Sequence, residues 1–273
     1  MTIPYCIQIG DTVNDEAQVE SLILSVFSEI NQKYNNWNPD SEVSQLNSLA
    51  AYKTFLISPE LATFLHYVDE IVLLTEGRFD PTVGSLQKMW KAYLTEGNLP
   101  PQNRVEEIKA DIGWGTLHCE DRCFWKEKSS TAIDLCGIAK GYAVDLLVEK
   151  LQASGYHNVY VEWGGEIRAL GHHPSDRPWK IGIQGLSSID LTDTAIATSG
   201  SYIQNWSIDG VHYTHIIDPI TREPLHNSTI TSVSVIAKSC READAIATAL
   251  MLFPTKEAAQ QWAQSKNYRV YIW

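Results

Sequence analysis

Positive charge is scarce in this chain. Its 21 Lys and Arg are outnumbered by 33 Asp and Glu, for a formal net charge of −12 over 273 residues. A nucleic-acid partner needs a clustered basic face, so DNA and RNA are not expected. A phosphorylated ligand would have to be met locally, by a metal ion, helix N-termini or a few placed lysines. Cysteine is sparse too. Its five positions, Cys6, Cys119, Cys123, Cys136 and Cys240, form no regular framework and read as free thiols. Cys119 and Cys123 have only His118 beside them, with no second pair at zinc spacing, so a structural zinc is not expected. No run approaches the ~20 apolar residues of a membrane span. Met1 to Asp11 shows no basic stretch followed by an apolar one, so no secretory signal is visible and a cytoplasmic location is expected for the chain as written. Repeats and low-complexity linkers are missing, which points to one continuous domain over 1–273.

What is present is a core. Hydrophobic residues make up 44% of the chain and aromatics 10%, enough for a large packed interior. Val19, Leu22, Ile23, Val26, Phe27 and Ile30 predict a helix over 16–33, followed by an Asn-rich loop with Pro39 and Asp40. A second helix is expected over 59–75, opening at Ser58-Pro59 and stopping near Gly77. Residues 131–135 read as a short strand feeding a helix from about 137 to 153. Strand-like runs follow at 157–163, 178–184, 193–198, 230–237 and 268–272, with helices over 241–252 and 255–265. Strands and helices mix without strict βαβ alternation, which favours an α+β fold.

Several segments could carry chemistry. Asp134-Leu135-Cys136-Gly137-Ile138-Ala139-Lys140-Gly141 runs from strand end into helix start, where exposed amides and the helix dipole suit an anion that Lys140 could reach. An N-capped helix with Asp134 near the cap explains the same residues, and the Walker A spacing is absent. On the later helix, Asp244 and Thr248 stack four apart and offer hard oxygens of the kind Mg²⁺ accepts. A dipole-favoured Asp and a back-bonding Thr would read identically. His215, ahead of Ile216-Ile217-Asp218-Pro219, could be a general base or a satisfied structural histidine. Gly164-Gly165 reads as a turn between strands, and Glu166 and Arg168 could pair or line a cleft.

Together and in order, these segments resemble the FAD:protein FMN transferase family, also called the ApbE family. The resemblance rests on residues 40–47 (Asp-Ser-Glu-Val-Ser-Gln-Leu-Asn), Gly77-Arg78-Phe79-Asp80-Pro81-Thr82-Val83-Gly84 and Asp134 through Asp145. It continues through Gly164-Gly165-Glu166-Ile167-Arg168-Ala169-Leu170-Gly171, Ala197-Thr198-Ser199-Gly200, His215 to Pro219, and Glu242 through Leu250. The resemblance implies a single α+β domain of two intimately packed lobes around an FAD cleft. It implies that Asp244, Thr248 and the Gly137 carbonyl hold Mg²⁺. It also implies that Asp134, Lys140, the Arg78-Phe79-Asp80 turn and the Ile216-Ile217 backbone hold FAD, and that His215 serves catalysis. The implied reaction cleaves FAD, attaches FMN to a Thr or Ser of an acceptor flavoprotein, and releases AMP. The alternatives are an FAD pyrophosphatase giving FMN and AMP, and a flavin carrier. Two positions depart from the family pattern: Cys136 stands where a small Gly or Ser is common, and Gln45 where an Arg is frequent. Many members are exported lipoproteins. Cys6 lacks the apolar run of a lipid-attachment signal, and a periplasmic location is the alternative should a leader have been trimmed.

Overall fold

The computed structural model describes residues 3–183, 188–202 and 204–273. In chain order the elements are β1 (Tyr5–Ile9), α1 (Glu16–Lys33), α2 (Glu42–Asn47), β2 (Phe55–Leu56), α3 (Pro59–Leu74), α4 (Gly84–Thr95) and α5 (Gln102–Lys109). Then come β3 (Leu117–Glu120), β4 (Cys123–Lys126), α6 (Ala139–Ala153), β5 (Val159–Trp163), β6 (Glu166–Leu170), β7 (Trp179–Ile181), β8 (Ile189–Leu191) and β9 (Thr194–Gly200). The chain closes with β10 (Asn205–Ile208), β11 (Val211–Asp218), β12 (Glu223–His226), β13 (Ser232–Ala237), α7 (Cys240–Leu250), α8 (Lys256–Ser265) and β14 (Arg269–Ile272).

The helix starts follow from their capping residues. Asp15, Ser41, Ser58, Ser239 and Thr255 each accept a backbone N–H three residues on, at the heads of α1, α2, α3, α7 and α8. At the far end of α3, Gly77 takes φ +77°, the left-handed turn that stops the helix and aims Arg78-Phe79-Asp80 elsewhere.

The architecture is α+β. Six strands form one sheet in the order β1-β5-β6-β9-β13-β14, with every pair antiparallel. Alternation divides its residues between two faces. Val159, Val161 and Trp163 of β5 join the large core with α1, α3 and α6, whereas Tyr160 packs with Trp179 and Leu191 of the β7-β8 hairpin on the opposite face. Val233 and Val235 of β13 pack with Ile246 and Leu250 of α7 and with Ala259 and Ala263 of α8. A smaller body holds α4, α5 and the β10-β11-β12 sheet around Leu86, Trp90, Leu94 and Ile217. Among the described residues, no helix is long and apolar enough to cross a membrane.

Two expectations are corrected. Residues 131–135 form no strand, because the side-chain amide of Asn47 stands where a neighbouring strand would. It donates to the Ile133 carbonyl at 2.9 Å and accepts the Ile133 N–H at 2.7 Å. The run 178–184 shortens to Trp179–Ile181, and its last residue, Gln184, lies outside the described residues. Between 84 and 130, where no element was expected, two helices and a hairpin form.

Helices α6 and α7 cross at backbone contact. A Cβ added at Gly141 would lie 2.4 Å from the Cys240 carbonyl oxygen and 2.7 Å from the Arg241 nitrogen, so any side chain there forces the helices apart. Gly141→Ala is expected to cost about 1–3 kcal/mol, or on the order of 2–10 °C in melting temperature. Gly115, which has nothing within 4 Å of its Cβ position, should accept Ala with little change. Thermal denaturation of the two variants checks this, and equal melting points would mean the crossing relaxes freely.

Candidate active site

The α6–α7 crossing sets the site. Asp244 projects from the first turns of α7 and is only 3% exposed. Its Oδ2 accepts the backbone N–H of Gly141 at 3.1 Å, which ties the carboxylate to the start of α6. One turn further on, Thr248 Oγ1 lies 3.1 Å from Ser199 Oγ on β9. Gly137, just ahead of α6, comes against both Thr248 and Phe79: a Cβ there would sit 3.3 Å from Thr248 Oγ1 and 3.1 Å from the Phe79 ring. Phe79 is itself buried, its N–H bonded to Thr75 Oγ1 at 3.2 Å. Residues far apart in sequence, at 79, 137, 244 and 248, thus share one small space.

Lys140 lies in the first turn of α6, which opens at Ala139 without a side-chain cap. This removes the Asp134 cap as an explanation of the segment. The Lys140 ammonium pairs with Glu166, which is 2% exposed. Glu166 stands just after a Gly164-Gly165 turn with φ +65° and +99°, a tight hairpin only glycine takes readily. Glu166 and Arg168 do not pair with each other. Two residues apart on β6, both face α6, and each finds its own partner along it: Lys140 for Glu166, Asp145 at 2.8 Å and Glu149 at 3.3 Å for Arg168.

Burial works against the Lys140 charge, but the Asp244 and Glu166 carboxylates outweigh it and raise the ammonium above its ordinary value. Burial pushes the Asp244 carboxyl up, against the pull of Lys140 and the Gly141 N–H. Glu166 is likewise raised, first by burial and then by the charge of Asp244.

Asp145 was missed as a supporting residue. Fully buried on α6, it accepts the N–H groups of Cys240 at 2.8 Å and Arg241 at 3.0 Å, so it fastens the start of α7 as well as Arg168. An Asp among apolar helix residues was the available signal, since a buried carboxylate needs partners. Ser199 was quoted within its motif but given no contact to Thr248.

The remaining predicted residues make contacts of their own outside this group. Asp134 lies against Gly84 at the head of α4, where an added Cβ would be 2.8 Å from Asp134 Cβ; its Oδ1 accepts the Cys136 N–H at 2.8 Å. Asp80 is occupied internally, accepting Thr82 N–H at 2.8 Å, Thr82 O–H at 2.6 Å and Trp114 N–H at 3.1 Å, so it shapes the turn. Arg78 stacks over the Phe253 ring at 4.4 Å. The Ile217 side chain is buried with Leu86 and Trp90, which leaves only its backbone to face a ligand. The β11-β12 register breaks between Tyr213 and Ile217 and takes the backbone there out of the ladder. His215 is half-buried and joins the group through α4: Gln87 donates to the His215 carbonyl at 3.0 Å, one turn from Gly84. Its Nδ1 faces the Gln204 carbonyl at 3.2 Å and must be the donor, so Nε2 keeps the lone pair. Burial lowers the imidazole pKa, opposed by the Gln204 carbonyl and aided by Lys91.

At the crossing stand one buried carboxylate, Asp244, and one hydroxyl, Thr248. These are hard oxygens that fit Mg²⁺ when ligand phosphates and water complete the shell. Among the described residues, no three carboxylate, imidazole or thiolate groups converge, so protein atoms alone offer an incomplete cage.

The ApbE family model matches residues 1–272. This chain belongs to the ApbE family. An FAD:protein FMN transferase of Chlamydia pneumoniae is 45% identical over the whole of this chain and 88% of its own length, and one of Vibrio cholerae is 35% identical over 92% and 77%. The solved flavin transferase ApbE of Vibrio cholerae superposes with a TM-score of 0.87 at 32% identity, covering 100% of this chain and 90% of that one. The ApbE protein of Thermotoga maritima gives 0.85 at 26% identity, covering 99% and 94%. ApbE-family segments scattered from Phe79 to Thr248 are gathered here by the α6–α7 crossing and α4.

Asp145→Asn removes a buried charge that answers Arg168 and two N–H groups. It is expected to cost about 3–5 kcal/mol of unfolding free energy, read as a shifted urea midpoint with an unchanged slope. A midpoint within error of the parent would show that α7 does not depend on it.

Proposed function

We propose that this chain is a Mg²⁺-dependent FAD:protein FMN transferase that moves FMN from FAD to a Thr or Ser hydroxyl of an acceptor flavoprotein and releases AMP. The observation that carries the reading is the meeting of Gly137, Lys140, Asp244 and Thr248 at one helix crossing. It occurs in a chain 45% identical, end to end, to a Chlamydia pneumoniae protein of that name. Residues 1–273 act as one unit. Its two lobes are the six-stranded sheet with its helices and the smaller body of α4, α5 and β10–β12, and Asp134 and Gly84 lie where they meet.

Asp244, Thr248 and the Gly137 carbonyl would hold Mg²⁺, which supplies charge neutralisation and Lewis acidity at phosphate oxygens. The protein groups do the rest. Lys140 and the uncapped N-terminus of α6 give fixed positive potential to the FAD diphosphate. Asp134, Arg78 and the loosened backbone at Ile216-Ile217 line the cleft, with Phe79 packed beneath Gly137 and Asp80 bracing the turn. Neutral His215 takes the acceptor hydroxyl's proton at Nε2. A bond then forms from that oxygen to the FMN phosphorus, while the anhydride bond breaks and its electron pair leaves on AMP.

The deciding experiment is incubation with FAD, Mg²⁺ and an acceptor domain, followed by fluorescence of the denatured proteins on a gel. Flavin covalently on the acceptor supports transfer. Free FMN and AMP alone would mean a pyrophosphatase, and unchanged FAD a carrier.

Two variants test the roles. Asp244→Asn keeps the shape but not the charge, and should abolish turnover without unfolding the chain; full Mg²⁺-dependent turnover would remove it from the metal site. His215→Asn should bind FAD nearly as well while single-turnover transfer falls by a factor on the order of 10²–10⁴. In the parent enzyme, transfer should be lost as pH falls through the folded pKa of His215. Because that pKa is depressed, the plateau should persist below the ordinary imidazole range of ~6.5. A rate that still climbs above that range would exclude His215 as the base.

A further inference from the structure

The sequence segments and the family resemblance give Lys140 a role but leave its partner without one. Glu166 is 2% exposed, its Oε1 pairs with Lys140, and its Oε2 is buried with no hydrogen-bond partner among the described residues. An unshared carboxylate oxygen in such a place is costly, and a packing role would be met at less cost by an apolar residue. The surroundings are built for the pair. Gly164 has no side chain where a Cβ would come 3.5 Å from Glu166 Oε2 and 3.7 Å from Lys140 Cδ, and Ile3 covers the same spot at 2.9 Å.

Lys140 is drawn by two carboxylates. Both carboxylates raise the Lys140 pKa, yet the ammonium forms its ion pair with Glu166 and none with Asp244. Asp244 instead receives the Gly141 N–H on one oxygen. The amine has thus been taken out of competition for the carboxylate that a cation would need.

We propose that Glu166 is a positioning residue: it anchors the Lys140 ammonium away from Asp244, so that Asp244 stays available to a divalent cation. Without the Glu166 charge, Lys140 has one carboxylate left to turn to, and it would occupy the cation's place with its own positive charge. This rests on the Asp244 metal reading above, and the test separates the two.

The probe is Mg²⁺ alone, titrated calorimetrically into the flavin-free full chain. Glu166→Gln, close in size and uncharged, is expected to weaken Mg²⁺ binding by a factor of about 10–100, the usual scale for outer-shell partners of a metal site. Glu166→Asp, which keeps the charge on a shorter stem, should recover part of the loss. The decisive variant is Glu166→Gln combined with Lys140→Met. With no ammonium left to approach Asp244, Mg²⁺ affinity should return to within a few-fold of the parent, a rescue that a merely structural Glu166 would not give. Thermal melts of each variant identify any that fail to fold, and the double variant, which carries neither buried charge, stays informative if the single one unfolds. Equal Mg²⁺ affinity in the parent and Glu166→Gln, or a double variant as weak as the single, would overturn the proposal while leaving the metal reading standing. A parent that binds no Mg²⁺ while Asp244→Asn keeps its Mg²⁺-dependent transfer would overturn the metal reading, and the proposal with it.

Discussion

The α6–α7 crossing is the contact on which the rest of the site depends. Helices usually approach to 8–10 Å, held apart by their side chains. Here Gly141 permits the backbone of α6 to touch the first turn of α7, at a distance that excludes even a methyl group. Three consequences follow from this single approach. Asp244 reaches the Gly141 N–H, Asp145 reaches the N–H groups of Cys240 and Arg241, and Thr248 arrives beside Gly137. The crossing thus exchanges carboxylates between two helix starts. Asp145 of α6 satisfies the orphan donors of α7, and Asp244 of α7 satisfies one of α6.

That exchange explains why α6 has no capping side chain of its own. Its first turn is met instead by the Leu135 carbonyl, which accepts the Ala139 N–H at 2.8 Å, and by Asp244 at the Gly141 N–H. α7 is closed at its start by both Ser239 and Asp145. The two helix termini therefore differ in how they are satisfied: side chains hold the start of α7, whereas a loop carbonyl and a carboxylate from the other helix hold that of α6.

Much of this was legible in the sequence where spacing carries the information. Helices α1, α3, α6, α7 and α8 follow from apolar periodicity and from caps such as Ser58-Pro59, and β5, β9, β13 and β14 lie within a few residues of their runs. Asp244 and Thr248 share a helix face by spacing alone. The segment 131–135 misled because its backbone pairing is with a side chain, Asn47, from 86 residues away, and no local pattern encodes that. α4 and α5 were harder to read: α5 buries Val105 alone, and the Leu86, Trp90 and Leu94 stripe of α4 packs against Ile217 from far along the chain. Side-chain partners at long range were the least visible. Glu166 and Arg168 sit two apart with opposite charges and invite each other on paper. Only the lie of β6 along α6 assigns each to a different residue.

The charge distribution reconciles an acidic protein with an anionic ligand. At a net −12 the far field repels a dinucleotide, but beyond ~8–10 Å such fields are screened at physiological ionic strength. What the ligand meets at contact is set by a few buried groups. Among these, the Asp244 and Glu166 carboxylates are withdrawn from water, and the Lys140 ammonium pairs with Glu166. Buried carboxylates are unfavourable for folding and for binding a diphosphate, and a divalent cation there would lower both costs. On the proposed reading, the cluster would hold each of two partners better in the presence of the other. A cation there would gain further ligands from the phosphate oxygens, and it would answer the charge that otherwise repels the diphosphate. That coupling would rest on three charged side chains, Lys140, Glu166 and Asp244, held in place by a helix crossing with no room for a side chain at Gly141.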